Sequence, residues 1–266
     1  METPTSEAVA PSTDEHAAEA LAEGASRFGR ADIHMHTNLG DGTASPARVV
    51  AEAERRGLDV IAVTDHDHLE GAKRVADLLA TSVHSLAMIA GVEVTTRQGH
   101  LLGLFIERPP RMLRSVEESI DDIKAQGGLV IVPHPLGRLV PSLSRSKIEQ
   151  LLSRGYAIDG LETYNPSPAN SAQRQAVLAF NRAWDLAETG GSDAHFWQHI
   201  GSGYTLFAGK TVEQFRAALL SKTTAAGGQE APPAKLPVAA LVGQCAWSWF
   251  VDPPRKVARM WRMRSA

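Results

Sequence analysis

Short apolar runs alternate with longer amphipathic stretches from Arg30 onward. The runs at 59–63 and 129–132 are apolar almost throughout, which is typical of strands in a parallel sheet that is covered on both faces. The stretches between such runs carry helix-start signals; Ser45 and Pro46, for example, suit the N-cap and first position of a helix. Repeated strand–helix units of this length favour a parallel α/β architecture, either a barrel or an open sheet.

The same pattern assigns elements along most of the chain. It predicts strands at 32–35, 59–63, 86–94, 99–106, 129–132, 158–164 and 204–207, with a short strand before Gly190, and helices at 45–57, 71–79, 115–126, 146–152, 169–186 and 211–219. Ser115 and Glu118 have the spacing of a capping box. The third and fourth strands are close enough in sequence to pair as a hairpin.

Three segments lack this alternation. Residues 1–29 are rich in small and polar side chains, and we expect them to be disordered because they cannot bury enough apolar surface. We predict a single catalytic domain at 30–220 and a linker at 221–236, followed by a compositionally different tail at 237–266.

The tail at 237–266 is amphipathic and has two interpretations. Its aromatic residues Trp247, Trp249 and Phe250 precede a run of basic residues, which are Arg255, Lys256, Arg259, Arg262 and Arg264. Aromatic residues beside a basic run suit contact with an anionic membrane surface or an acidic partner. The alternative is that the tryptophans pack the tail back onto the helices of the domain.

Composition narrows the functional classes only a little. The chain has 266 residues and a net charge of −3, so there is no overall case for nucleic-acid binding. Its single cysteine, Cys245, excludes an internal disulfide and fits a reducing compartment. The N-terminal residues lack a signal-peptide pattern, and no apolar run reaches the roughly 18–20 residues that span a bilayer. We therefore expect a cytoplasmic protein.

Side chains that can bind metals follow the predicted strands at their C-terminal ends, where α/β folds place their chemistry. His34 and His36 occupy alternate positions of a predicted strand, so their imidazoles share a face and can bind one divalent cation. The full set of candidates is His34, His36, Asp41, His66, Glu93, His100, His134, Asp193 and His195. Nine ligands are too many for one ion and suit two or three cations bound by imidazole and carboxylate.

Six motifs give this set a specific order. They are DxHxHT at 32–37, TDHD at 64–67, GVE at 91–93, GH at 99–100, PHP at 133–135 and GSDAH at 191–195. In this order they resemble the PHP (polymerase and histidinol phosphatase) family of metal-dependent phosphoesterases, over about residues 30–210. The resemblance implies a distorted (β/α)7 barrel with two or three Mn, Fe, Zn or Mg ions at the strand ends.

The resemblance also divides the ligands among three ions. It implies that one ion is bound by His34, His36, Glu93 and Asp193. Glu93 would bridge to a second ion that also takes His100 and His134, and the third ion would take Asp41, His66 and His195. Asp41 stands where many members of the family have histidine.

The chemistry that follows is phosphate ester hydrolysis. Clustered cations give a hydroxide nucleophile near neutral pH and neutralise the phosphate oxygens. Arg138 is the first candidate to bind the phosphate, because a guanidinium can bind it bidentately; Arg145 and Lys147 come next. Asp65 is expected to orient a histidine. A metal-bound water, His195 or His68 could protonate the leaving group.

We therefore predict a phosphoesterase that acts on a small phosphomonoester or nucleotide. Two alternatives remain open. One is a tyrosine-phosphate or histidinol-phosphate phosphatase that uses the same cluster, and the other is a metal-binding module without turnover that acts in a complex or at a membrane. Intact ligand motifs speak against the second alternative.

Overall fold

The computed structural model describes residues 27–81, 83–167, 172–228, 236–251, 254–255 and 258. Within these residues nine strands form one sheet. The strands are β1 (Phe28–Asp32), β2 (Val60–Val63), β3 (Ala87–Thr95), β4 (His100–Leu104), β5 (Leu129–Val132), β6 (Gly160–Tyr164), β7 (Ala187–Gly190), β8 (Gly203–Ala208) and β9 (Ala225–Gly228).

Seven α-helices accompany the sheet in the described part of the chain. They are α1 (Pro46–Arg55), α2 (Glu70–Leu79), α3 (Val116–Ala125), α4 (Arg145–Ser153), α5 (Arg174–Trp184), α6 (Val212–Leu220) and α7 (Val238–Ala246). The sequence located most of them through their start signals. Ser45 caps α1 by accepting from the N–H of Arg48, and Ser115 and Glu118 form the predicted capping box.

The strand order is β7-β6-β5-β4-β3-β2-β1-β8-β9. The pairs β1–β2, β2–β3, β5–β6 and β6–β7 are parallel. In contrast, β4 is antiparallel to β3 and β5, and β8 is antiparallel to β1 and β9. At the other edge, β9 lies against β7, so the sheet nearly closes on itself. The expected distorted barrel is therefore confirmed, with the predicted hairpin between β3 and β4.

Alternation along the strands supplies two apolar clusters. On β2, Ile61 and Val63 face one cluster and Val60 and Ala62 face the other. The first cluster packs against helices α1 to α5, and the second packs against α6. Each fully buried aliphatic side chain contributes about 1.5–3 kcal/mol, so these clusters fix the barrel that carries the site.

Two predicted boundaries were wrong. The first strand ends at Asp32 instead of Met35, because the buried Asp32 carboxylate accepts backbone N–H groups of His34, Ser192 and Gly201 and takes the chain out of the ladder. The segment predicted as linker contains β9. Small residues with no apolar alternation gave no strand signal there.

Glycine is required in β9 because aromatic rings lie across it. A Cβ at Gly228 would lie 2.1 Å from the Tyr164 ring, and one at Gly227 would lie 2.5 Å from the Tyr204 ring. Real side chains do not approach this closely, so β9 needs glycine at these two positions, whereas Ala225 and Ala226 pair with β8 where no ring intervenes.

The tail predicted at 237–266 is helical where it is described. Helix α7 continues into a π-helical turn at Trp247–Val251. In the described part of the chain no helix has the length and apolar character to cross a membrane. The disorder predicted for residues 1–29 was wrong for Phe28 and Gly29, which belong to β1, and residues 1–26 lie outside the described residues.

Candidate metal centre

All nine predicted ligands meet at one end of the barrel. His34 and His36 lie just beyond β1, where Met35 forms a bridge with Ala194 that holds the two chain segments together. His66 follows β2, and its bridge to Glu93 joins it to the middle of β3. The remaining ligands come from the start of β4 and from the segments after β1, β5 and β7; they are His100, Asp41, His134, Asp193 and His195.

The ligand atoms fall into four overlapping groups, in each of which the atoms lie within 4.8 Å of one another. Such spacing suits groups that share one cation. The groups are His36, Asp41, His66 and His195; His34, His134 and Asp193; His34, His36 and Glu93; and His66, Glu93 and His100. The structure thus brings the predicted set together, and the assignment of each residue to one ion stays a prediction.

Glu93 stands between two sets of imidazoles. Its Oε2 lies 3.3 Å from Nε2 of both His34 and His36. Its Oε1 lies 2.6 Å from His100 Nδ1 and 3.0 Å from His134 Nε2. Because the two oxygens face different histidines, this carboxylate has the geometry needed to bridge two cations.

A second carboxylate, that of Asp41, contacts the histidines on the other side of the cluster. Asp41 Oδ2 lies 3.2 Å from His195 Nε2 and 3.9 Å from His66 Nε2. The rings of His36 and His195 stack with their centroids 4.1 Å apart. The predicted third group is therefore assembled, and His36 joins it.

Buried carboxylates and imidazoles compensate each other's charge in this structure. Burial lowers the pKa of His36, but hydrogen bonds and charges from Asp193, Glu93 and Asp41 outweigh it and raise the pKa to about 10. Burial raises the pKa of Glu93 and Asp41, yet the surrounding histidines hold both well below their usual range. The negative charge of the site thus needs positive charge nearby, which protons or cations can supply.

The donor set fits divalent cations. Both ring nitrogens of His36, Asp41 Oδ1 and His100 Nδ1 are buried in ion pairs with one another or with Glu93, but none of these atoms has a hydrogen bond of proper geometry. Buried polar atoms are normally satisfied, so these atoms point to ligands other than the protein itself. Imidazole and carboxylate together suit Mn, Fe or Zn better than they suit Ca, which prefers oxygen alone.

The sequence analysis missed Glu162, which holds two of the ligands in place. Its Oε1 lies 3.0 Å from His34 Nδ1, and its Oε2 accepts the backbone N–H of His134 at 2.6 Å. Asn165 donates to the same Oε2 at 2.9 Å. Such partners fix the orientation of a metal-binding imidazole. A lone carboxylate inside the apolar strand β6 was the available signal.

Ser142 is a second missed partner. Its Oγ lies 3.0 Å from His134 Nδ1 and so helps to orient that ring. No pattern in the sequence distinguished this serine from other loop serines, because the seven residues between it and His134 form a loop whose path only the structure gives.

Asp65 contacts a different partner from the one predicted. Its two oxygens accept from the Thr37 N–H at 2.7 Å and the Thr37 hydroxyl at 2.6 Å, and no histidine hydrogen bond is formed. Burial raises the pKa of Asp65 to about 6, against hydrogen bonds from Thr37 and the charge of His36. Asp65 therefore fixes the chain just after His36 and does not orient an imidazole directly.

The two histidines predicted as proton donors differ in their exposure to solvent. His195 keeps 25% of its side chain exposed, more than the other ligands. His68 is buried, and its Nδ1 accepts the N–H of Glu70 at the start of α2. His195 is thus the better placed of these two histidines to reach a substrate.

The predicted phosphate-binding residues differ in whether their charge is already paired with a carboxylate. Arg138 is exposed in the loop after β5. Arg145 pairs with Glu149, and Lys147 pairs with Glu117 at 2.7 Å, so both are engaged along α4. Arg174, which sequence reasoning did not select, lines a narrow pocket with His134 and Asn165 and stacks over the Tyr164 ring.

Comparisons with known proteins agree with this site. A family model described as PHP-associated (PHP_C) matches residues 172–224. The chain is 30% identical over 147 residues to the uncharacterized protein MJ1587 of Methanocaldococcus jannaschii, covering 51% of this chain and 81% of that protein. This chain belongs to the PHP domain family.

A solved structure shows the same PHP fold. It is a two-domain protein from Bacteroides vulgatus that contains a predicted PHP-like metal-dependent phosphoesterase, and it superposes with a TM-score of 0.65 at 21% identity. The match covers 76% of this chain and 65% of that protein. The barrel is therefore that of the PHP fold.

Two further PHP relatives have named activities. A phosphoribosyl 1,2-cyclic phosphate 1,2-diphosphodiesterase of Eggerthella lenta is 27% identical over 135 residues, covering 47% of this chain and 48% of the relative. A 3′,5′-nucleoside bisphosphate phosphatase of Chromobacterium violaceum is 32% identical over 80 residues, covering 29% of this chain and 27% of the relative. Both are phosphate ester hydrolases, and this chain is a hydrolase of the same broad class.

Metal binding should release protons. Burial lowers the pKa values of His34, His36 and His195, but the neighbouring carboxylates outweigh it and raise all three, so these groups hold protons more strongly in the metal-free protein and lose them to an incoming cation. Affinity for Mn should therefore rise with pH, and the binding heat should depend on the buffer's ionisation enthalpy. We expect about two or more equivalents per chain, together with a fall in melting temperature on chelation. Buffer-independent heats would contradict the proton release.

Proposed function

We propose that this protein hydrolyses a small phosphomonoester or nucleotide at the strand-end cluster. The observation that carries the proposal is Glu93, whose two oxygens face separate pairs of imidazoles. Divalent ions held there supply a hydroxide nucleophile at neutral pH and neutralise charge on the phosphate. Glu162 and Ser142 keep the ring of His134 oriented, so the ligands need little reorganisation when substrate enters.

The phosphate is proposed to enter from the exposed side of the cluster. His195 is the most accessible ligand there, and in a state in which its Nε2 binds no cation, that nitrogen is proposed to supply the proton that the leaving oxygen requires. Arg138 is the proposed phosphate-binding residue, and Arg174 is the rival because it lies beside His134 and Asn165. A guanidinium at either place would neutralise phosphate oxygens that face away from the ions.

A buried cluster favours a small substrate. Most of the ligands are nearly inaccessible, so a phosphoryl group can reach them only at the end of a slim molecule. The two named relatives described above act on a cyclic phosphodiester and on a nucleoside bisphosphate. These names support a phosphate ester linked to a ribose-containing group, and they leave the choice between monoester and diester to experiment.

Two other functions compete for the same cluster. A tyrosine-phosphate or histidinol-phosphate phosphatase would use the same ligands and differ only in the walls around them. A metal-binding module without turnover would need the ligands but no path for substrate. The partial exposure of His195 favours turnover, because a purely structural cation is normally enclosed.

Hydrolysis of chromogenic aryl phosphates tests the proposal directly. With added Mn, 4-nitrophenyl phosphate should be hydrolysed faster than bis(4-nitrophenyl) phosphate, and a metal-stripped sample should be inactive with both. A panel of nucleoside monophosphates, nucleoside bisphosphates, phosphotyrosine and histidinol phosphate then ranks the substrates by kcat/KM. Metal-loaded protein that hydrolyses none of them would support the module without turnover.

A further inference from the structure

The segment at 236–251, which we call the cover segment, contacts the metal centre. Ser248 Oγ donates to Asp41 Oδ2 at 2.7 Å, and Gln244 donates to the backbone carbonyl of Asp41. Gln244 Nε2 also lies 3.2 Å from Ser248 Oγ. These two residues are four positions apart and therefore share one face of the helix. The face that meets the domain is polar.

Besides Gln244 and Ser248, the cover segment carries exposed apolar side chains, which together we call its apolar face. Val238 and Phe250 are each 74% exposed, Val242 is 62% exposed and Leu241 is 43% exposed. A helix held to its own domain by apolar burial would show the reverse arrangement. Contiguous exposed apolar side chains on a soluble domain mark a surface that another phase or partner covers.

The contact falls on a residue of the predicted metal set. Asp41 Oδ2, which accepts from Ser248, is the same oxygen that lies 3.2 Å from His195 Nε2. His195 is also the most accessible of the predicted ligands. The cover segment therefore lies against the group of ligands through which a substrate or an exchanging cation would pass.

The positive charge next to the apolar face of the cover segment indicates which kind of surface could bind it. Arg255 stacks over Trp247 at 5.3 Å, which places a cation at the end of this face. In the sequence after Asp252, five basic residues and no acidic residue follow, and these are Arg255, Lys256, Arg259, Arg262 and Arg264. An apolar helical face beside a purely basic run matches the surface of an anionic membrane.

We propose that the cover segment shields the metal centre and is drawn away when its apolar face and the adjoining basic residues bind an anionic membrane. A few polar contacts hold the segment in place, and burial of its apolar side chains in the interface outweighs them. Leaving Asp41 would free its Oδ2 and open the side of His195. The proposal rests on the proposed function, because shielding regulates turnover only at a site that hydrolyses substrate.

The test uses full-length protein and vesicles of phosphatidylglycerol with phosphatidylcholine, compared with phosphatidylcholine alone. Co-sedimentation measures binding, and the rate of Mn loss to a chelator measures opening of the site independently of activity. We expect binding to the anionic vesicles only, with Mn loss and 4-nitrophenyl phosphate hydrolysis each rising about threefold or more, as expected for a coupling that shifts a two-state equilibrium.

Two variants separate the contacts. Gln244→Ala with Ser248→Ala should lose Mn quickly without vesicles, since both bonds to Asp41 are removed. Val242→Ser with Phe250→Ser keeps the bonds to Asp41 but weakens the apolar face. With or without vesicles, this variant should lose Mn at the slow rate that the wild type shows without vesicles. Circular dichroism confirms that both variants fold.

Several results would overturn the proposal. These are absence of binding to anionic vesicles at low salt, equal Mn loss with and without them, or unchanged Mn loss in Gln244→Ala/Ser248→Ala. Binding to soluble polyglutamate in preference to vesicles would replace the membrane with an acidic protein partner. If no substrate is hydrolysed but vesicles still accelerate Mn loss, the proposed function fails, whereas the proposal that the cover segment shields the metal centre stands.

Discussion

Glu93→Ala is expected to lose bound metal and activity together. The carboxylate lies within 3.5 Å of five imidazoles, so its removal takes a ligand from two cation groups and the counter-charge from those histidines. Residues that only orient a ligand already cost about 10–100-fold in metal affinity when mutated. Loss of a bridging ligand should therefore cost at least about a hundredfold, measured by elemental analysis and by kcat/KM with Mn.

The matched control is Glu188→Ala, which removes a carboxylate of strand β7 that lies outside the ligand groups. It should keep the metals and wild-type kcat/KM. Glu93→Gln preserves the shape of the side chain but removes its charge, so it should retain the fold and still bind metal weakly. A Glu93→Ala protein that still binds two full equivalents of metal would show that Glu93 does not bridge two cations.

Arg138→Ala is expected to keep the metals and the fold but to bind phosphate poorly. The side chain is exposed, so its removal leaves no buried group unpaired. Loss of one charge-assisted contact to phosphate costs about 1.5–3 kcal/mol, which corresponds to roughly ten- to hundredfold in kcat/KM. Steady-state kinetics on 4-nitrophenyl phosphate, with metal content measured on the same sample, gives the result.

Two further arginines turn this into a comparison. Arg145→Ala is the control, because Arg145 already pairs with Glu149 and should leave kcat/KM unchanged. Arg174→Ala tests the rival beside His134 and Asn165. If Arg138→Ala has wild-type kcat/KM and Arg174→Ala loses about tenfold or more, the phosphate contact belongs to Arg174.

Elements with strong local signals were predicted well from sequence. The apolar run at 129–132 is β5 residue for residue, and the capping box of Ser115 and Glu118 starts α3 as expected. β9 was not predicted, because small residues gave it no periodic pattern and its formation depends on Tyr164 and Tyr204 closing over its glycines. Local strand propensity does not predict an element whose conformation depends on contacts with residues far away in the sequence.

Sequence alone also gave the chemistry of the site but not its connections. The ligand types and their places after strands are local properties, since the end of a parallel strand and the next side chains belong to one short segment. The partners that orient them come from far along the chain: Glu162 reaches His34 across 128 residues, and Asp65 reaches Thr37 across 28 residues. No motif spacing encodes such pairings.

The tail shows the same division most clearly. Its sequence determined that an aromatic and apolar segment precedes a basic run, because composition and order are sufficient for that. Only the tertiary structure decided which face meets the domain, and it placed Gln244 and Ser248 on Asp41 with the apolar side chains outward. A helix presents several faces of similar propensity, and the choice among them depends on the distant surface against which it packs.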